Sequence, residues 1–209
     1  MTRLAILDLD GTLLDTLDDL AAAVNHALAA VGLPPRSRPE IERFVGEGVR
    51  RLLSRALGPH QERLDPALAA WWSHYEEHCL DRTRPFDGIR GQLAGAGRLL
   101  AVLTNKPGRL ARRTLAGTGL LDQVALVVGG DEAPRKPDPG GALELMRRLS
   151  ARREETVFVG DSPTDALTAR HAGVTMVGVT WGFRPRVELR AAGVVHLVDR
   201  VAELAPWLA

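Results

Sequence analysis

An α/β fold carrying a helical insertion is what this sequence predicts, on three observations. Short apolar runs rich in β-branched residues recur at 4–9, 99–104, 124–128, 156–160, 174–179 and 194–198. Most are nearly continuous rather than alternating, the pattern of strands covered on both faces. Helical stretches at 110–117, 141–150 and 165–172 lie between them, as the right-handed crossovers of a parallel sheet require. The alternation then breaks once: from Asp15 to Asp87 the chain reads as helices with no convincing strand. The expected architecture is a Rossmann-like parallel-sheet core over 1–14 and 88–209, with an inserted helical cap domain over 15–87.

Each element has a local cause. The strand beginning at Leu4 runs into Asp8-Leu9-Asp10-Gly11-Thr12, where Gly11 permits a tight turn. Asp15 or Thr16 can cap a helix through Leu20, Val24 and Leu28 to Val31, which Gly32 and Pro34 end. Pro39 opens a second helix, 48–57 reads as a third, and Asp65-Pro66 starts a fourth bearing Leu68, Trp71, Trp72 and Tyr75. Arg84-Pro85-Phe86-Asp87-Gly88 reads as the linker back to the core.

Composition narrows the function. The chain is 45% apolar and 25% charged with a net charge of +1. That is ordinary for a globular protein and offers no basic footprint for nucleic acid. The apolar start stops at Asp8, too soon for a signal peptide, and no apolar run reaches the ~20 residues a membrane helix needs. Cys79 is the only cysteine, so no internal disulfide forms, in keeping with a cytoplasmic protein. Nearly all basic residues are arginine; the only lysines are Lys106 and Lys136. Either two lysines survive a biased genome by accident, or these positions need a compact ammonium that guanidinium cannot replace. Both lie in loops after expected strands, which favours the second reading.

In a parallel sheet ligands gather at the carboxyl ends of the strands. Here Asp8 and Asp10 end the first, Thr104-Asn105-Lys106 the second, Lys136-Pro137 follows the third, and Gly160-Asp161-Ser162-Pro163-Thr164-Asp165 the fourth. Two carboxylates two residues apart repel unless something compensates them, and a magnesium ion would. Carboxylates, ammonium groups and a hydroxyl at consecutive strand ends are the inventory for phosphoryl transfer.

With these motifs in this order the sequence resembles the haloacid dehalogenase superfamily of phosphatases over essentially its whole length. Thr104-Asn105-Lys106-Pro107, Lys136-Pro137-Asp138-Pro139 and Gly46-Glu47-Gly48 look most like its phosphoglycolate phosphatases. The resemblance implies a magnesium-dependent hydrolase in which Asp8 attacks phosphorus and forms an aspartyl-phosphate. Asp10 would protonate the leaving oxygen and then activate water. Thr104 and the amide of Asn105 would hold phosphoryl oxygens, with Gly11 and Thr12 beside them, and Lys136 would neutralise charge. The metal ligands would be Asp8, the carbonyl of Asp10 and Asp161, with Asp165 acting through water or by orienting Lys136. Lys106, Gly46 and Arg50 are candidates for holding the carboxylate of a molecule such as 2-phosphoglycolate. The partners expected are one small phosphorylated metabolite and no nucleic acid or membrane, for a monomer or homodimer.

The same residues argue against neighbouring activities. Family dehalogenases lack the carboxylate at Asp10, and phosphonate-cleaving members use a cap lysine, of which 15–87 has none. Phosphoglucomutases of the family place a histidine where Leu20 stands. The alternatives that remain are a phosphatase for a sugar phosphate, an amino-sugar phosphate or pyrophosphate, and a non-catalytic relative. Other patterns read as packing. His74 and His78 lack the glutamate that a metalloprotease helix needs after its first histidine. The glycines of 91–97 precede their strand rather than following it, and Trp71 and Trp72 suit the cap interior. Trp181-Gly182-Phe183 ends the fifth strand, lining the pocket or packing its rim.

Overall fold

The structure is a computed structural model and describes residues 2–209. In chain order, β1 (Thr2–Leu7) is followed by β2 (Leu14–Asp15) and then four helices: α1 (Leu17–Ala30), α2 (Arg38–Phe44), α3 (Val49–Leu57) and α4 (Leu64–His78). β3 (Arg84–Pro85) leads back to α5 (Ile89–Ala94), β4 (Leu99–Leu103), α6 (Gly108–Gly117), β5 (Leu126–Val128) and α7 (Gly140–Arg148). The chain ends through β6 (Ala151–Gly160), α8 (Pro163–Ala172), β7 (Thr175–Val179), α9 (Arg186–Ala191), β8 (His196–Val198) and α10 (Ala205–Leu208).

Six strands form one sheet in the order β5-β4-β1-β6-β7-β8, all paired in parallel. The chain steps outward from β1 through β4 to β5, then crosses back to β6 on the other side of β1. The strand order therefore reverses beside β1, where the crevice of an open α/β sheet lies. The continuous apolar runs have the expected cause. Ala5 and Leu7 of β1 face a cluster with Ile89 and Leu93 of α5 and Ala111 and Leu115 of α6. Leu4 and Ile6 face the opposite cluster, with Leu145 of α7 and Ala169 of α8. Each fully buried leucine or isoleucine of this kind contributes roughly 1.5–3 kcal/mol by leaving water.

The helices α1 to α4 enclose a separate apolar cluster of Leu17, Leu20, Val24, Leu28, Ile41, Leu52, Leu53, Trp71 and Tyr75. Leu110 of α6 completes it, so the helical module is seated on the sheet domain. α2 starts from a capping box of Ser37 and Glu40 with Pro39 in its first turn. Three histidines stack across α1 and α4, His26 on His74 and His74 on His78, with ring centroids 4.4 Å apart in each pair.

Some boundaries differ from expectation. No strand was expected between Asp15 and Asp87, yet Leu14 pairs antiparallel with Pro85 and Asp15 with Arg84. This short ladder ties the entry of the helical module to its exit. It escapes the sequence because two residues carry no period. β6 starts at Ala151 rather than at 156; its first residues are arginines and glutamates, mostly exposed, that hide the strand. α5 forms in a glycine-containing stretch because Ile89 and Leu93, one turn apart, are both buried. No helix among the described residues is long and apolar enough to cross a membrane.

Candidate active site

Every strand near the middle of the sheet delivers charge at its carboxyl end. Asp8 follows β1 directly, its N–H held by the carbonyl of Val159 on β6 at 2.9 Å. Asp161 follows β6, and Thr104 follows β4 with its N–H on the carbonyl of Val128. Lys136 comes from the loop between β5 and α7. All four are buried.

Lys136 Nζ lies 2.7 Å from Asp8 Oδ1 and 2.7 Å from Asp165 Oδ1. Burial alone would lower the lysine, but Asp165 and Asp8 outweigh it and hold the ammonium above its ordinary range. Asp165 is fully buried at the start of α8. Its Oδ2 accepts from Ser162 N (3.1 Å) and Ser162 Oγ (2.6 Å), a capping box that fixes the carboxylate against Lys136. Of the two roles expected for Asp165, the geometry favours orienting Lys136. Asp8 Oδ1 also accepts from Leu9 N, while no donor among the described residues reaches Oδ2.

Asp161 Oδ1 accepts from Thr12 Oγ1 at 2.9 Å and Oδ2 from Phe183 N at 2.8 Å. Thr12 is fully buried, so its hydroxyl holds Asp161 and does not line the cavity as a substrate contact. Gly11 has φ +83°, and a Cβ there would stand 2.5 Å from Asp161 Oδ2. Its part is to let the loop turn close against Asp161.

Oxygens of Asp8, Asp161 and Asp165 all lie within 4.8 Å of one another, and this is the only such His/Cys/Asp/Glu group among the described residues. Burial pushes the Asp161 carboxyl up to about 7, with the Asp165 charge adding to it. Burial likewise holds Asp8 well above the carboxylate range, against the pull of Lys136. Carboxylates crowded and desolvated in this way are the oxygen donor set a small hard dication satisfies, so the residues fit magnesium. The stacked histidines form no comparable group; His78 Nδ1 instead sits 2.9 Å from Asp81 Oδ2.

Lys106 has a different setting. Its Nζ donates to Asp10 Oδ1 and to Tyr75 Oη, both at 2.8 Å. Burial would lower this lysine too, and again the neighbours, Asp10 first, raise it. Arginine could not enter either site unchanged, since both ammonium groups are enclosed at 2–3% side-chain exposure.

A cavity of about 50 Å³ open to water centres lies between sheet and helices. Asp8, Asp10, Thr104, Asn105, Lys106 and Lys136 form its floor; Leu20, Val45, Gly46, Val49, Leu52 and Trp71 its roof. Asn105 Nδ2 joins the halves by donating to the carbonyls of Gly46 (2.9 Å) and Lys136 (3.1 Å). Arg50 departs from expectation. It points outward from α3, pairs with Asp65 at 3.3 Å with 60% of its side chain exposed, and does not line the cavity. The reason is helical phase: Val49 and Leu52 take the inward positions.

Two residues beside this site carry no functional mark in the sequence. Tyr75 reads only as an apolar helix position. Arg184, just beyond β7, reaches across to the C-terminal turn of α2. Its Nη1 donates to the carbonyl of Glu42 (2.8 Å), and Nη2 to those of Arg43 (3.2 Å) and Val45 (2.5 Å). Phe183 beside it packs on the helical cluster. Carbonyls at a helix end favour a cation, but the sequence marks no pairing across so many residues. Arg184→Ala is expected to loosen the roof and raise KM about tenfold, with a smaller change in kcat. Steady-state kinetics with an unchanged KM would remove this latch.

A family profile described as haloacid dehalogenase-like hydrolase matches residues 5–179. A phosphoglycolate phosphatase of Rhodospirillum rubrum is 38% identical, over 100% of this chain and 91% of its own length. One of Agrobacterium fabrum is 37% identical over 100% and 93%. The crystal structure of a predicted phosphoglycolate phosphatase from Haemophilus somnus superposes with a TM-score of 0.92 at 27% identity, covering 100% and 98%.

Proposed function

The chain belongs to the haloacid dehalogenase-like hydrolases and is a phosphoric monoester hydrolase, and from that premise we propose that it converts 2-phosphoglycolate to glycolate and phosphate through an aspartyl-phosphate on Asp8. The observation that carries the proposal is Asp8 itself, whose Oδ2 meets no donor among the described residues, lining a cavity together with Asp10 and two buried ammonium groups.

In the first step Asp8 Oδ2 forms the bond to phosphorus as the ester P–O bond breaks, and Asp10 gives its proton to the leaving oxygen. In the second, Asp10 takes a proton from water as that water attacks phosphorus and frees Asp8. Lys136 offsets the charge on Asp8 and the phosphoryl oxygens throughout, and Asp165 keeps it there. The Thr104 hydroxyl and Asn105 lie on the same floor to hold those oxygens. Asp8, Asp161 and the Asp10 carbonyl would hold magnesium, with Asp165 behind; when bound it screens the phosphoryl charge and orients the group for in-line attack. The apolar roof excludes bulk water.

Two measurements test this. Excess chelator should abolish turnover and magnesium restore it, whereas calcium, with longer bonds and more ligands, should not; full activity in chelator would exclude a metal enzyme. Across a panel of sugar phosphates, amino-sugar phosphates, pyrophosphate and 2-phosphoglycolate, the last should give the highest kcat/KM. A higher value for a hexose phosphate would overturn the substrate assignment while leaving the chemistry intact.

A further inference from the structure

Asp10 reaches the roof of its own cavity through two hydrogen bonds, and the residue at the far end belongs to the helical module. Lys106 Nζ donates at 2.8 Å to Asp10 Oδ1 on the core side and at 2.8 Å to Tyr75 Oη on α4. Lys106 and Tyr75 are both buried, Tyr75 fully. Tyr75 is held in turn by its ring, stacked on Trp71 with centroids 4.5 Å apart and 21° between planes. Trp71 lines the cavity. The ammonium also lies 4.9 Å from the Tyr75 ring centroid, so both the oxygen and the π-face of the tyrosine address it.

Geometry sets the consequence. Lys106 follows β4 and Asp10 follows β1, so both are anchored to the sheet. Tyr75 is anchored to α4, whose cluster rests on the core through Leu110. Were the helices to lift from the sheet, the phenol would leave Lys106, and a four-carbon stem would lose one of the two hydrogen bonds that fix it. Lys106 is placed to accompany the charge Asp10 carries once its proton has gone to the leaving group.

We propose that Tyr75 is a positioning residue supplied by the helical module: seated over the core, it fixes Lys106 and through it Asp10, so the proton shuttle is set only when the cavity is closed. The proposal rests on the reading of Asp10 as that shuttle.

The test compares wild type, Asp10→Asn, Tyr75→Phe, Lys106→Met and the Tyr75→Phe/Lys106→Met double variant on two substrates with magnesium. One is 2-phosphoglycolate, whose alkoxide leaving group needs a proton; the other is p-nitrophenyl phosphate, whose leaving group does not. Tyr75→Phe should lower kcat on 2-phosphoglycolate about tenfold, lose several-fold less on p-nitrophenyl phosphate, and move KM less than kcat. In the Lys106→Met background the phenol should matter little, because its partner is gone. Circular dichroism and a melting curve establish that each variant is folded, and Lys106→Met carries the comparison if Tyr75→Phe does not fold. Equal losses by folded Tyr75→Phe on the two esters, or losses that multiply in the double variant, would overturn the positioning role. So would equal losses by Lys106→Met on the two esters. If Asp10→Asn itself fails to discriminate between the esters, the reading of Asp10 falls instead, and the two failures are told apart.

Discussion

Asp8→Asn is expected to lose at least about 10⁴-fold in kcat, the scale on which enzymes respond to removal of a covalent nucleophile. Asparagine keeps the shape of the side chain and its place at the end of β1, and Lys136 retains Asp165 at 2.7 Å. The fold should therefore survive, which circular dichroism of the variant checks. Mass spectrometry of acid-quenched wild type should locate the phosphoryl group on Asp8, and residual turnover of Asp8→Asn near wild type would eliminate the covalent mechanism.

Lys136→Met should produce the second-largest loss, and it should cost stability as well as activity. The ammonium is 2% exposed and shared between two carboxylates. Removing one member of a buried ion pair typically costs about 3–5 kcal/mol, because the charges left behind have no partner. In kcat/KM the loss should be about 10³-fold, the size expected when a preorganised charge facing the transition state is deleted. Lys136→Arg separates charge from shape. It keeps the cation, but a guanidinium is too large for a site bounded by Asp8, Asp165 and the Phe158 ring, 5.8 Å from Nζ. It should recover less than a tenth of the activity; full recovery would show that charge alone suffices. Denaturant midpoints in chelator measure the stability part.

How much of this was legible in the sequence depends on the range over which each signal acts. β1 could be read because residues buried on both faces must be apolar one after another, as Leu4 and Ile6 on one side and Ala5 and Leu7 on the other show. Asp8, Asp10, Thr104, Lys136 and Asp161 could be placed because strand ends of a parallel sheet share one edge, whatever the details of packing. The two lysines stood out against a background of arginine, and both ammonium groups prove to be enclosed.

Where a side chain's partner lies on another element, sequence is silent, and the readings there needed the structure. Arg50 follows glycines, a pattern that suits anion binding, but the phase of α3 turns it outward to Asp65. Thr12 stands beside the nucleophile in sequence, yet its hydroxyl turns to Asp161, distant along the chain. Tyr75 and Arg184 carry no local mark of their roles, because their partners, Lys106 and the carbonyls at the end of α2, are brought near only when the helical module rests on the sheet. Strand period and strand-end chemistry are local and repeat within a few residues, so the sequence by itself determined the layered fold and the inventory of charged groups. Hydrogen-bond partners over such separations depend on the relative placement of whole elements, and that placement, decided by packing of Leu110 and the cavity roof, belongs to the tertiary structure alone.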